Sequence, residues 1–370
     1  MFKKEDILME EKIKNLTEEA VALLAELVKT PRVSREEEKA TDILENWMKE
    51  RNLFPIRIGN NLLLVSPDYN PERPTIMLNA HIDTVRPVAS WTRDPHQPAR
   101  EGDRMYGIGT NDCGGGLVSL LQTFRILLSE HRNNNLLFLA SCEEEVSGVN
   151  GIRKVIPLLP EILHTPLGIL EKNITAIVGE PTEMQPAVAE KGLMVLDVVA
   201  HGVSGHAARN EGRNAIYEAL NDILWFRDYR FEKVSPFLGP VKMSLTIINA
   251  GTQHNVVPDE CRMTVDIRSN EFYSNEEIFD IVRLNISSEV SARSFHLRSS
   301  RISLSHPLIV RAKEMGMEPF GSPTLSDQAL MPWQSLKLGP GHSSRSHSAD
   351  EYICISEISD AIEKYLQLLR

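Results

Sequence analysis

Apolar residues recur along this chain in two rhythms. Residues 16–29 carry them at helical spacing, with Thr17 before Glu18 and Glu19 as the expected start. Ser34-Arg35-Glu36-Glu37 has the form of a capping box and predicts a second helix to about residue 51. Other runs are apolar throughout: Thr75-Ile76-Met77-Leu78, Leu136-Leu137-Phe138-Leu139-Ala140 and Ala176-Ile177-Val178. Between the first two, residues 117–128 form an apolar helical stretch after Gly114-Gly115-Gly116. Strands without polar alternation, separated by helices, predict a largely parallel sheet covered on both faces.

The middle of the chain reads differently. Residues 193–200, 241–248 and 261–267 alternate apolar with polar, and helical patterns fill 214–231 and 275–290. This predicts an inserted α+β domain with one open sheet face, over residues 185–295. A helix near 308–315, a loop carrying His347 and a final helix from Ser356 return to the first domain, residues 1–184 plus 296–370. The expected fold class is therefore α/β, a mixed, mostly parallel sheet covered by helices, with an α+β insert. No internal repeat or low-complexity tract interrupts it.

A chain of 370 residues has room for two domains. No apolar run approaches the roughly 20 residues of a membrane span, and the N-terminus lacks the apolar core of a secretory signal. The cysteines, at 113, 142, 261 and 354, show no Cys-x-x-Cys spacing and read as reduced thiols of a cytoplasmic protein. Lys+Arg 40 against Asp+Glu 51 gives a net charge of −11, which argues against a nucleic-acid partner.

The polar candidates follow the carboxyl ends of the apolar strands, where open α/β sheets place their sites. They are His81 and Asp83, Asp112, the run Glu143-Glu144-Glu145, Glu180 before Pro181, and His347 beyond Gly339-Pro340-Gly341. Alternate residues on an extended chain point the same way, so His81 can ligate a metal while Asp83 accepts its other ring N–H. Asp112 has two oxygens and could bridge ions about 3.5 Å apart; locally, a helix N-cap reading is equally good. Three adjacent carboxylates at the mouth of a buried strand repel one another without cations. Neighbours there point apart, so one can bind metal while the one before it faces a substrate water. Histidines and carboxylates without a thiolate cage suit two borderline divalent ions, and the set implies metal-assisted hydrolysis. No Gly-x-Ser-x-Gly elbow, Walker-type phosphate loop or His-Glu-x-x-His is present, and Gly107-x-Gly109 does not complete a dinucleotide loop.

Taken together, the motifs resemble one metallopeptidase family, that of acetylornithine deacetylase, succinyl-diaminopimelate desuccinylase, aminoacylases and glutamate carboxypeptidases. They are His81-Ile82-Asp83-Thr84-Val85, Trp91-Thr92-Arg93-Asp94-Pro95, Tyr106-Gly107-Ile108-Gly109, Asp112, Gly115-Gly116, Glu144-Glu145, Gly179-Glu180-Pro181-Thr182, Gly202-Val203-Ser204-Gly205-His206-Ala207, Asn255-Val256-Val257-Pro258-Asp259 and His347-x-x-Asp350-Glu351. The resemblance runs from about residue 17 to the end and is closest to acetylornithine deacetylase-like members.

The resemblance implies a zinc-exopeptidase-like catalytic domain with a lid that also pairs two subunits. It implies that His81 and Glu180 bind one divalent ion, Glu145 and His347 a second, and that Asp112 bridges them. Zinc is expected, with cobalt and manganese as alternatives. Asp83 should orient His81, and Glu144 should be the general base. His206 should reach the partner subunit's site and steady an oxyanion, while Asn255, Arg268 and Lys191 hold a substrate carboxylate. A cis peptide is expected at Asp112–Cys113. The implied substrate is a small N-acyl amino acid, N-acetyl- or N-succinylornithine of arginine biosynthesis first, with no membrane or nucleic acid involved. A dipeptidase or carboxypeptidase, a succinyl-diaminopimelate desuccinylase, and a catalytically dead binding protein stand as alternatives. Cys113, Gly114, Glu143 and Leu325 depart from the family pattern, and Glu143 leaves a Glu143–Glu144 register of base and ligand open.

Overall fold

The computed structural model describes residues 4–209 and 211–370. The chain forms two compact units: Met1–Val188 with Ile302–Phe320 and Ser326–Arg370, and Ala189–Arg301 with Gly321–Leu325. The division falls within the Ala187–Glu190 strand rather than at residue 185. Residues 296–301 go with the second unit because Ser300 and Arg301 pair antiparallel with Glu190 and Ala189. Residues 321–325 join it too, with the Lys191 N–H donating to the Ser322 carbonyl at 3.2 Å.

In the first unit four strands run parallel in the order Asn135–Ser141, Thr75–His81, Ile174–Val178, Gln334–Lys337. Antiparallel strands flank them: Asn61–Val65 and then Ile56–Ile58 on one side, Ala187–Glu190 on the other. Every residue of Thr75–His81 and Asn135–Ser141 is buried, which explains their unbroken apolar sequences. Met77, Leu137 and Leu139 pack with Ile152, Val155, Leu159 and Leu170. The Gly115–Leu127 helix packs on the same two strands and against the helices Lys4–Lys29 and Ile355–Leu369. Its Phe124 lies 6.0 Å from Phe138, ring to ring; burying each ring stabilises by about 2–3 kcal/mol. A Cβ on Gly116 would stand 1.8 Å from the Gly179 carbonyl oxygen, so only glycine lets this helix meet the turn that carries Glu180.

Local signals misled at both early helices. The first helix spans Lys4–Lys29, so Thr17 does not start it; its hydroxyl donates to the Ile13 carbonyl one turn back. The second, Glu38–Glu50, has no side-chain cap, and Ser34 donates to Asp83 instead. The central strand Gln334–Lys337 escaped notice because Gln334, Ser335 and Lys337 break its apolar run.

The second unit holds an antiparallel sheet in the order Lys242–Ala250, Glu260–Arg268, Met194–His201, Glu289–Ala292. Alternate residues, Leu196, Val198, Met263 and Val265 among them, pack with Ala219 and Phe226 of the Ala215–Asp228 helix and with Ile278 and Val282 of Asn275–Asn285. The opposite face is polar, with Arg293 making two hydrogen bonds of 2.8 Å to Asp197. Two expectations change here. The helical pattern expected through residue 290 stops at Asn285, because Glu289–Ala292 pairs with Met194–His201. Lys242–Ala250 is a largely exposed edge strand, not a half-buried one.

Candidate metal centre

His81 ends its strand, and the ladder continues one residue further through the Ile82 N–H to the Ser141 carbonyl. His81 Nδ1 lies 3.0 Å from the main-chain oxygen of Asp83 and 3.6 Å from its carboxylate. A proton on Nδ1 is therefore held chiefly by the carbonyl, which leaves Nε2 bare for a cation. The Asp83 carboxylate accepts from Ser34 Oγ at 2.7 Å and from the Glu144 and Glu145 N–H groups at 3.1 and 3.2 Å. Asp83 thus places the acidic run as well as the histidine.

Asp112 is not a helix cap. It and Cys113 have non-helical backbone angles inside the turn before Gly115–Leu127, and the Asp112–Cys113 peptide is cis. Asp112 Oδ1 lies 3.2 Å from His81 Nε2, and Oδ2 lies 3.5 Å from His347 Nε2. Glu180 Oε1 stands 3.6 Å from His81 Nε2, and Glu145 Oε2 stands 2.9 Å from His347 Nε2. One carboxylate therefore faces two histidines, each with a further carboxylate beside it. Glu144 Oε2 is 4.0 Å from His81 Nε2. Glu143 turns away, accepting from the Asn150 main-chain and side-chain N–H groups at 3.2 and 2.8 Å.

The electrostatics show a site short of positive charge. Burial, with Glu180, Asp327 and Glu145 nearby, pushes the Glu144 carboxyl well above its usual range. Burial and Asp112 raise Glu180 to about 8. Its Oε1 is buried without a hydrogen-bond partner, a costly state for a carboxylate that an ion would relieve. Burial alone would lower the His81 imidazole, but the Cys113 sulfur, Asp112 and Asp83 raise it well above its ordinary value. His347 is raised to about 9, chiefly by its hydrogen bond to Glu145. Two imidazoles with three carboxylates are a suitable donor set for divalent cations. Among the described residues, His81, Asp112 and Glu145 offer ligand atoms within 4.8 Å of one another, and so do His81, Cys113 and Glu180.

The remaining expected residues lie in the second unit. His206, exposed, sits in the short strand Gly205–His206 paired with Val256–Val257, and the Ala207 N–H donates to the Asn255 carbonyl. Arg268 is engaged by Asp266 through hydrogen bonds of 2.9 and 3.1 Å. Lys191 is lowered by partial burial and by the positive charges of Lys242 and Arg268.

Four further groups shape the centre through contacts that the sequence does not signal. Asp327 accepts from Ser141 Oγ at 2.5 Å and is raised by burial to about 6. Glu351 accepts main-chain N–H groups around Asp112, and buried Arg32 donates to the Gly109 carbonyl at 3.0 Å. Cys113 Sγ accepts the His81 N–H at 3.2 Å. Glu351 and Cys113 stand within or beside the quoted motifs, and Asp327 ends the run that carries Leu325; only Arg32 carries no local signal.

The family model described as Peptidase family M20/M25/M40 matches residues 77–370. The chain is 28% identical to a succinyl-diaminopimelate desuccinylase of Corynebacterium glutamicum, over 95% of this chain and 97% of the other. It is 24% identical to an acetylornithine deacetylase of Edwardsiella ictaluri, over 90% and 92%. In fold it is similar to the aminopeptidase PepT of Bacillus cereus, with TM-score 0.72, 17% identity, and 95% and 98% of the two chains covered. A dinuclear metal-binding M20 peptidase of Bacillus subtilis is similar at TM-score 0.70 and 16% identity, over 96% and 98%.

Proposed function

The chain belongs to peptidase family M20/M25/M40, and on that premise we propose that it removes the acyl group from an N-acyl amino acid, with N-acetyl- or N-succinylornithine as its substrate. The reaction class is metal-dependent amide hydrolysis. The observation that carries the proposal is Asp112 facing His81 with one oxygen and His347 with the other. His81 and Glu180 would hold one divalent ion and Glu145 and His347 a second, with Asp112 the carboxylate placed to serve both. Zinc is the ion we favour; cobalt and manganese accept the same donors.

Two such ions supply a Lewis acid for the amide carbonyl and make a water acidic near neutral pH. Glu144 takes the proton of the attacking water and returns it to the leaving amine. The Glu143 register is disfavoured because that side chain is spent on Asn150. Asp83 holds the His81 tautomer through its carbonyl and the base through its carboxylate. By the resemblance, His206 donates to the oxyanion and Asn255, Arg268 and Lys191 hold the substrate carboxylate.

We assign the second unit the role of lid and dimerisation domain; its exposed edge strand, with Ile247 52% and Ile248 49% accessible, supports a homodimer. Free cysteines and the lack of a membrane-crossing helix among the described residues are compatible with a cytoplasmic enzyme of arginine biosynthesis. A second reading, succinyl-diaminopimelate desuccinylase, is favoured by the 28% identity to the Corynebacterium enzyme.

The deciding experiment is amine release by metal-loaded protein on N-acetylornithine, N-succinylornithine, N-succinyl-diaminopimelate and a dipeptide mixture. Preference for an acylated ornithine is expected. Negligible turnover of both acylated ornithines, with fast turnover of N-succinyl-diaminopimelate, a dipeptide or another acyl amino acid, would overturn the assignment while leaving the hydrolase.

A further inference from the structure

Three main-chain N–H groups around Asp112 converge on one buried side chain. Glu351 is 3% accessible; its Oε2 accepts from Gly109 at 2.9 Å, and its Oε1 from Asn111 at 2.8 Å and Asp112 at 2.9 Å. Its main-chain carbonyl accepts a fourth N–H, that of Gly107, at 3.0 Å. From the other side Arg32, also 3% accessible, donates to the Gly109 carbonyl at 3.0 Å. A Cβ on Gly109 would stand 2.4 Å from both Arg32 Nη2 and Thr84 Cγ2. The turn is therefore gripped at both polar groups of Gly109, between a buried carboxylate and a buried guanidinium.

We propose that Glu351 is the positioning residue of the bridging carboxylate, fixing the 107–112 turn so that the two oxygens of Asp112 face His81 and His347. This rests on the dinuclear reading given above. Glu351 follows His347 by four residues, so the loop that carries one candidate ligand also anchors another. Within the turn, Thr110 donates to the Gly107 carbonyl and the Gly114 N–H to the Gly109 carbonyl, but the Asp112 backbone angles are non-helical and the N–H groups of Asn111 and Asp112 both go to Glu351. Two carboxyl oxygens suit three convergent donors better than an amide, whose own N–H₂ would oppose one of them.

The test is Glu351→Gln, read by zinc stoichiometry and by competition with a coloured chelator, alongside thermal unfolding in excess chelator. Groups that orient ligands from behind typically contribute about 10- to 100-fold to metal affinity. A loss of that size in the folded protein is expected, whether or not the weakened buried acceptor also lowers the unfolding midpoint of the chelated protein. If E351Q binds two ions with parental affinity, or unfolds earlier while its folded fraction binds normally, the proposal is overturned. Asp350→Ala is the control: Asp350 ties the same loop to Thr92 and Arg93, on the surface. An equal affinity loss in D350A would mean general loop anchoring and would also overturn it. Should E351Q not fold, Glu351→Asp, which reaches fewer of the donors, must show an intermediate loss. A parent protein binding fewer than two ions would instead defeat the dinuclear reading.

Discussion

His347 Nε2 lies 3.5 Å from Asp112 Oδ2, on the oxygen that His81 leaves free. The two residues come from distant parts of the chain, and their approach turns two ordinary side chains into a candidate bridge. The turn that carries the carboxylate is held at its main chain by Glu351. The carboxylate's two lone-pair directions consequently address two separate histidine–carboxylate groups.

Replacing that carboxylate should separate metal binding from folding. Asp112→Asn should bind fewer than two ions and lose about 10³-fold or more in turnover, since metal assistance contributes several kcal/mol of transition-state stabilisation. Elemental analysis with steady-state assays checks this; full metal content with parental kcat would sink it.

Glu144 and Glu143 should behave oppositely. Glu144→Gln should keep its metal and lose about 10²- to 10⁴-fold in kcat, the usual contribution of a general base. Glu143→Gln should retain most turnover and lose stability, since it breaks an acceptor for Asn150. If E143Q is the inactive variant, the register of base and ligand shifts by one.

The metal-free protein should lose stability as pH rises. Glu180 is raised by burial to about 8 and Asp327 to about 6, both above their unfolded values. A group whose folded pKa is raised stabilises fully below its unfolded pKa and ceases to do so as pH passes its folded pKa. In chelator, the unfolding midpoint should therefore fall between about pH 4 and 8. Saturating zinc at neutral pH should reverse the loss, adding about 2.7 kcal/mol at a hundred times Kd. A chelated midpoint that is flat or rising across that window would refute the assignment.

His206→Ala should lower kcat by about 10²- to 10³-fold with metal content unchanged, the size of one lost oxyanion donor. Mixed dimers of H206A with Glu144→Ala should regain activity if sites are shared between subunits. Failure of the mixture to complement would count against that sharing.

The edge strand offers a separate check on assembly. Ile248→Lys places a charge on a half-exposed edge residue and should shift a dimer to monomer without lowering the melting temperature of the monomer. Sedimentation velocity reads this directly; an unchanged sedimentation coefficient would remove Lys242–Ala250 from the interface.

Composition and short-range pattern were enough to establish the kind of molecule. Uninterrupted apolar runs such as 136–140 mark strands covered on both faces, because a strand in a two-sided sheet has no solvent side on which to place polar residues. The chemistry was legible for a related reason: residues at the carboxyl ends of those strands stand in the order of the known motifs, and order survives in sequence. Capping and pairing were not legible. Ser34 had a cap's spacing but found a better acceptor in Asp83, and the helical pattern through residue 290 gave way to pairing with Met194–His201. Gln334–Lys337 was lost because its polar side chains hid a central strand. Only the tertiary structure decided that Glu351 and Arg32 hold the Asp112 turn, and that His81 is oriented mainly by a carbonyl. A buried polar group satisfies its hydrogen bonds with whatever donor the fold brings within 3 Å, and sequence separation places no limit on that choice.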